Sequence, residues 1–186
     1  MERTIEVPAR IAGDRVLLRP LEPRDVDAFA QAFADDPDLG PAWGVEEDPD
    51  AAELAERVER AEGSAAAGRG VELAIADRGS DDLVGTVILH SIDWIHERGE
   101  VGFWLAPGAR GRGAATEGVG LLVNWAFTDL GLHRVEMITL PALPNFGRVL
   151  ALAKRLGFRQ EGVMRERNFE RGRRYDTMML AVLRAD

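Results

Sequence analysis

The order of apolar runs along the chain predicts a single α/β domain: one mixed, mostly antiparallel β-sheet with helices on both faces. Three observations predict it. Short strand-like runs come first and then alternate as strand, helix, strand, helix, strand, the pattern of a sheet covered on both sides. The length, 186 residues, suits one complete core and is too short for two comfortable ones. In mid-chain a basic glycine loop joins an apolar strand directly to a helix. Residues 1–13 read as an N-terminal extension and 14–186 as one domain.

Arg15 to Arg19 reads as the first strand, ended by Pro20. Pro23 suits a helix start, and Val26, Phe29, Ala30 and Phe33 recur at helical spacing after it. Asp35 to Pro49 is rich in Asp, Pro and Gly and reads as an irregular loop carrying Trp43. A second helix is expected over Asp50 to Ala67, with Ala51, Leu54, Ala55, Val58 and Ala61 inside and an acidic outer face. Strands follow at Val71 to Ala76, Leu83 to His90 and Glu100 to Ala106, the first two joined by a turn at Arg78 to Asp81. The helix after the glycine loop buries Ala115, Val119, Leu122, Ala126 and Leu130, and Gly131 ends it. A strand at Arg134 to Leu140, a helix at Asn145 to Leu156, and strands at Phe158 to Met164 and Arg174 to Leu183 complete the chain.

The loop is the most informative stretch. Phe103, Trp104 and Leu105 close the strand, Pro107-Gly108 breaks it, and Arg110-Gly111-Arg112-Gly113-Ala114-Ala115-Thr116 opens the helix. The first N–H groups of a helix have no partner inside it. Those donors, the positive end of the helix dipole and two arginines make a place for phosphate. A P-loop would need Lys-Ser or Lys-Thr after the second glycine, and none is present. A dinucleotide fingerprint would need a small third residue, where Thr116 stands, and an acid ending the next strand, whereas Glu136 lies near its start. The bland alternative is a glycine turn with solvated arginines.

Composition narrows the function classes. The chain carries 23 basic and 32 acidic side chains, net −9, which argues against a nucleic-acid partner. The charge is uneven: −14 up to residue 100, from ten basic and twenty-four acidic groups, and +5 beyond it, from thirteen and eight. The basic half suits an anionic ligand, and the acidic half tolerates a cationic one. There is no cysteine, so disulfides and thiolate chemistry are excluded. The three histidines, His90, His96 and His133, lack paired ligand spacing, so no metal is expected. No run approaches membrane-spanning length and the start lacks a signal-peptide core, so a soluble, cytoplasmic protein with no membrane partner is expected.

Arg110-x-x-Gly113-x-Ala115 resembles the acyl-donor loop of the GNAT N-acetyltransferases. The resemblance spans about Asp14 to Arg184, nearest to the branch of ribosomal-protein N-acetyltransferases (RimJ/RimL-like). It is carried by Val16-Leu17-Leu18-Arg19-Pro20-Leu21, Ile92-Asp93-Trp94, Glu100 to Leu105, Leu130 to Glu136, Leu156-Gly157-Phe158 and Glu161-Gly162. It implies the acetyltransferase fold, acetyl-CoA as co-substrate and no metal. The implied reaction is acetyl transfer to a primary amine, a protein N-terminal α-amine or a small amine. Relatives are monomers and dimers, so a homodimer stays open. The alternative in another class is a CoA-sensing domain without turnover.

By resemblance, the loop Arg110 to Thr116 holds the pyrophosphate, and the backbone of Phe103, Trp104 and Leu105 pairs with the pantetheine arm. The Leu105 amide, or its neighbour, donates to the thioester oxygen. Glu100 stands where relatives carry a glutamate base, its bland alternative being a solvated strand-end carboxylate. Asp93 and Glu97 are alternatives that would bind a cationic acceptor, and Trp43 and Trp94, expected to be exposed, would serve either its pocket or an interface. His90 is a further candidate base, and His133, in a helix-to-strand turn, reads as structural. Asn145 is a CoA contact twelve residues before Gly157, where eleven is usual, and Arg148 stands in the place of a serine. Ala153 stands where relatives carry a tyrosine acid, which leaves water to protonate the departing thiolate.

Overall fold

The computed structural model describes residues 3–36, 39, 49–170 and 172–186. Eight strands form one sheet: β1 (Ile11–Ala12), β2 (Val16–Pro20), β3 (Val71–Asp77), β4 (Leu83–Asp93), β5 (Arg98–Leu105), β6 (Arg134–Thr139), β7 (Arg159–Glu170) and β8 (Arg173–Leu183). Their order is β1-β2-β3-β4-β5-β6-β8-β7, and every pair is antiparallel except β5 with β6. The described helices are α1 (Val26–Asp35), α2 (Ala51–Ala66), α3 (Ala114–Thr128) and α4 (Phe146–Arg155). None of them is long and apolar enough to cross a membrane.

The alternation of side chains along the strands builds two cores. One face of the sheet buries Leu18, Ile75, Val87, Val101 and Met137 with Val119 and Leu122 of α3 and Leu152 of α4. The opposite face takes Trp104 against Phe29 and Phe33 of α1 and Leu54 of α2, with the Trp104 and Phe29 rings stacked at 5.0 Å. Successive residues of β5 therefore serve opposite layers, as a strand's period of two requires.

The structure adjusts several expectations from the sequence. Pro23 opens a short 3-10 turn, Pro23–Asp25, and α1 starts only at Val26. Asp50 caps α2 by accepting the Glu53 N–H (2.9 Å), while Glu53 accepts the Asp50 N–H (3.0 Å). The inner stripe of α2 is Leu54, Val58 and Ala65, with Ala51 outside. Strand β4 runs on to Asp93 through a register shift after His90, and β7 runs to Glu170 through one between Met164 and Asn168. Strand β1 lies within the segment read as an extension and pairs Ile11 with Leu18.

Candidate active site

The site begins where the one parallel pair comes apart. Strands β5 and β6 are in register at Arg98 with Arg134, Gly99 with Val135 and Glu100 with Glu136, and the pairing stops there. Beyond that point β5 stays on β4 up to Leu105, and β6 stays on β8 up to Thr139, so a gap opens between them. Ala106 donates its N–H to the Val84 carbonyl (2.9 Å), while Leu105 lies opposite Gly85 and Phe103 opposite Val87. Bonded and non-bonded pairs alternate along an antiparallel ladder. The backbone groups of Val101, Phe103 and Leu105 therefore turn away from β4 and face the gap. The Trp104 side chain is buried in the α1–α2 core, so its indole is not offered to a ligand.

Both strands run toward the open end of the gap, and each leads toward the start of a helix, β5 to α3 and β6 to α4. Ligands in parallel sheets bind at the carboxyl ends of strands for this reason. The cap residue of α3 is Gly113 at φ +86°, a left-handed conformation that costs a side-chain-bearing residue. Glu117 is the first residue of this turn to return an N–H to the chain, bonding Gly113 O (3.0 Å). The amides of Ala114, Ala115 and Thr116 meet no acceptor among the described residues. Arg112 is exposed on the loop. Arg110 braces it instead: its Nε donates to the Leu105 carbonyl (3.0 Å) and its guanidinium pairs with Asp36. Glu117 accepts the N–H groups of Asp14 and Arg15, which holds the β1–β2 turn.

At the closed end of the gap, four strands contribute charge. The Glu100 carboxylate is only 13% exposed, and His90 on β4 brings Nε2 within 3.7 Å of it. Burial pushes the Glu100 carboxyl above the usual glutamate range, and Glu136 adds to the push. His90 and Arg167, from the β7 bulge, pull it back. Glu136 is neutralised by Arg134 (2.8 Å) and Arg98 (3.5 Å). Two neighbouring carboxylates thus sit in different environments: Glu136 is held by two guanidinium groups, and Glu100 is buried beside an imidazole.

The remaining sequence candidates fall in three places. Asp93, Trp94 and Glu97 form the β4–β5 turn, roughly 10 Å along the strand from Glu100 at about 3.3 Å per residue. There Asp93 accepts the N–H of His96 (3.0 Å) and its ring nitrogen (2.8 Å), and the first of these bonds leads in drawing its carboxyl down to about 2. Trp94 is half-buried rather than exposed, with its indole N–H on the Gly68 carbonyl (2.9 Å). Asn145 caps α4 on the far side of the gap, and Arg148 lies exposed in its first turn. Ala153 is fully buried in the core. Trp43 lies outside the described residues. Sequence reasoning missed Glu136 and Arg167 as neighbours of Glu100, and Asp36 as the partner of Arg110. The sheet order and the β7 bulge bring the first two beside Glu100, and the end of α1 brings Asp36 to Arg110.

The chain matches the model of the acetyltransferase (GNAT) domain over residues 15–159. It is 26% identical over 171 residues to the uncharacterized N-acetyltransferase YoaA of Bacillus subtilis, covering 92% of this chain and 94% of that protein. Its fold is like that of RimL, the ribosomal L7/L12 alpha-N-protein acetyltransferase solved with coenzyme A: TM-score 0.82, 18% identity, 95% of this chain and 99% of that one. It is also like that of spermidine N-acetyltransferase from Vibrio cholerae solved with CoA and spermine: TM-score 0.78, 23% identity, 93% and 98% covered.

Proposed function

The chain belongs to the GNAT acetyltransferase family, and from that premise we propose that it carries an acetyl group from acetyl-CoA directly onto a primary amine, with Glu100 taking the amine proton. One observation carries this reading. The parallel strands part just beyond Glu100 and Glu136, and the strand lining the gap runs straight into the loop with unpartnered amides.

The amides of Gly111 to Thr116, with Arg112, take the pyrophosphate. The arm of the donor lies along the backbone groups of Phe103 and Leu105, opposite Asn145 and Arg148. Glu100 removes a proton from the ammonium of the acceptor. The nitrogen lone pair then attacks the thioester carbon, with the Leu105 N–H directed at the carbonyl oxygen. The C–N bond forms, the nitrogen gives up its second proton to water, the C–S bond breaks, and the thiolate takes its proton from water. With no cysteine to carry an acyl group, the transfer is direct. The acceptor occupies the side of Glu100 toward Asp93, Trp94 and Glu97. The likeness to RimL supports a protein N-terminal α-amine as acceptor, and the likeness to a spermidine acetyltransferase supports a small amine.

A second reading, CoA binding without turnover, is favoured by the buried Ala153 where the family's acid would stand. Calorimetric titration with acetyl-CoA, CoA and NAD tests the donor site. We expect acetyl-CoA and CoA to bind in the micromolar range, about −8 kcal/mol. NAD should give no heat, and Gly113→Glu should weaken acetyl-CoA at least tenfold. Absence of acetyl-CoA binding would overturn the reading.

A further inference from the structure

A cavity of about 160 Å³ opens between α2 and the start of β3, one strand beyond His90. Arg57, Arg60, Arg69, Ser64, Glu72 and His90 line it. The charges there do not cancel. Arg57 is spent on Glu72, which it meets with two bonds (2.9 and 3.2 Å). Arg60 has Glu56 as a partner on the outer face of the helix (3.0 Å), with both side chains about two-thirds exposed, so solvent screens that pair. Arg69 has no side-chain carboxylate partner among the described residues. The walls are left with a surplus of guanidinium groups around a space large enough for a carboxylate.

His90 belongs to both places. It lines the cavity and stands 3.7 Å from Glu100. Glu100 lies opposite His90 across β4–β5, and Glu72 lies opposite Ile88 across β3–β4. Neighbouring strands are about 4.8 Å apart, so the cavity lies within roughly 10 Å of the Glu100 carboxylate. An amine seated at Glu100 can extend an anionic group into the arginine-lined space.

Resting on the reading of Glu100 as the base, we propose that this cavity selects the acceptor: a primary amine with a carboxylate or equivalent anion within about 10 Å of it. An acidic second residue of a peptide meets that description. A polyamine does not, because its distal charges would meet Arg60 and Arg69. The net charge of −9 draws cations toward the molecule from afar. Inside a Debye length, about 8 Å at physiological salt, the nearest groups decide, and in the cavity the charges left over after Arg57 pairs with Glu72 are arginines.

Three peptide amides, Ser-Glu-Ala-Ala, Ser-Gln-Ala-Ala and Ser-Lys-Ala-Ala, test this by two readouts: thiol release from acetyl-CoA, and calorimetric binding in the presence of CoA. Charge-assisted hydrogen bonds are roughly twice as strong as neutral ones, so the Glu peptide should exceed the Gln peptide about tenfold in kcat/KM, with the Lys peptide lowest. In an Arg60→Ala/Arg69→Ala double variant the Glu-to-Gln ratio should fall to about one while acetyl-CoA binding is kept. Arg69→Glu should move the preference toward Lys. Equal kcat/KM for Glu and Gln in the unaltered protein, or a ratio that survives the double variant, overturns the proposal. Charge-selective binding without thiol release would support the cavity and overturn the catalytic reading. Thiol release without charge selection would do the reverse. Neither binding nor release by any of the three overturns the cavity as an acceptor site.

Discussion

Glu100 is a carboxylate that the fold keeps largely out of water, and that sets its chemistry and its effect on stability. Burial raises its proton affinity, and Glu136 raises it further, while His90 and Arg167 offset part of the rise. A base with a raised pKa is nearer to the amine it must deprotonate. In Glu100→Gln we expect kcat to drop by about 10²–10⁴-fold, the usual worth of such a group, with acetyl-CoA affinity retained; undiminished turnover would remove Glu100 from the mechanism. The rate should fall as pH drops through the raised pKa, because the protonated form cannot act as base. Stability moves the other way. The fold favours protonated Glu100, so its contribution is fully present below the usual glutamate range and is lost as pH rises through the raised value. Thermal melts should therefore show Glu100→Gln more stable than the parent at pH 7, with the difference vanishing in acid. The sequence made Glu100 legible because it precedes the loop on a single run of chain. His90, Glu136 and Arg167 come from three other strands, and only tertiary pairing brings them into its field.

At the scale of elements, apolar periodicity located the strands and helices but not their ends. Strand β7 continues past Met164 through Arg165-Glu166-Arg167-Asn168, residues with no apolar alternation, because β8 supplies its hydrogen bonds on the far side of the bulge. Strand β2 hides a different feature. Arg19, fourth in Val-Leu-Leu-Arg-Pro, is fully buried and holds Asp25 through two bonds of 2.8 Å, with Asp81 at 3.2 Å. Asp25 also accepts the Glu22 N–H (2.8 Å), so this pair ties β2 to the entry of α1. No rule of alternation announces a buried arginine; its partner lies six residues on and is reached only through the Pro23 turn. Breaking a buried pair leaves the other charge uncompensated. We expect Arg19→Met to lower unfolding free energy by about 3–5 kcal/mol in urea titrations. Arg19→Met with Asp25→Leu should recover part of that loss. A change below about 1 kcal/mol for the single variant would mean the pair is solvated in practice.

At the scale of the molecule, the alternating order of strands and helices made the mixed sheet and its two covered faces legible, and the loop run made the glycine loop at the head of α3 legible. The surroundings of Glu100 depend on β4, β6 and the β7 bulge converging on it, contacts between residues far apart in sequence. The N-terminal segment shows the same limit. Read alone, residues 1–13 have too little apolar patterning to count as an element. In the structure Ile5 is 3% exposed and donates its N–H to the Ala65 carbonyl (3.0 Å), and the Arg3 guanidinium lies 5.4 Å from the Trp94 ring centre. Gly68, at φ +66°, has no room for a side chain, since a Cβ there would stand 1.9 Å from the Arg3 carbonyl oxygen. We therefore place the start of the domain before residue 14. Deleting residues 1–10 removes the Ile5 contact, worth about 1.5–3 kcal/mol for a fully buried aliphatic side chain. For a chain of this size that corresponds to a fall of about 3–12 °C in Tm. Acetyl-CoA affinity should hold, because the described residues of the deleted segment touch α2, the β4–β5 turn and Asp81, not the glycine loop. The indole of Trp94 should become more exposed, shifting tryptophan emission to the red. An unchanged Tm would make the segment an appendage and return the domain boundary to residue 14.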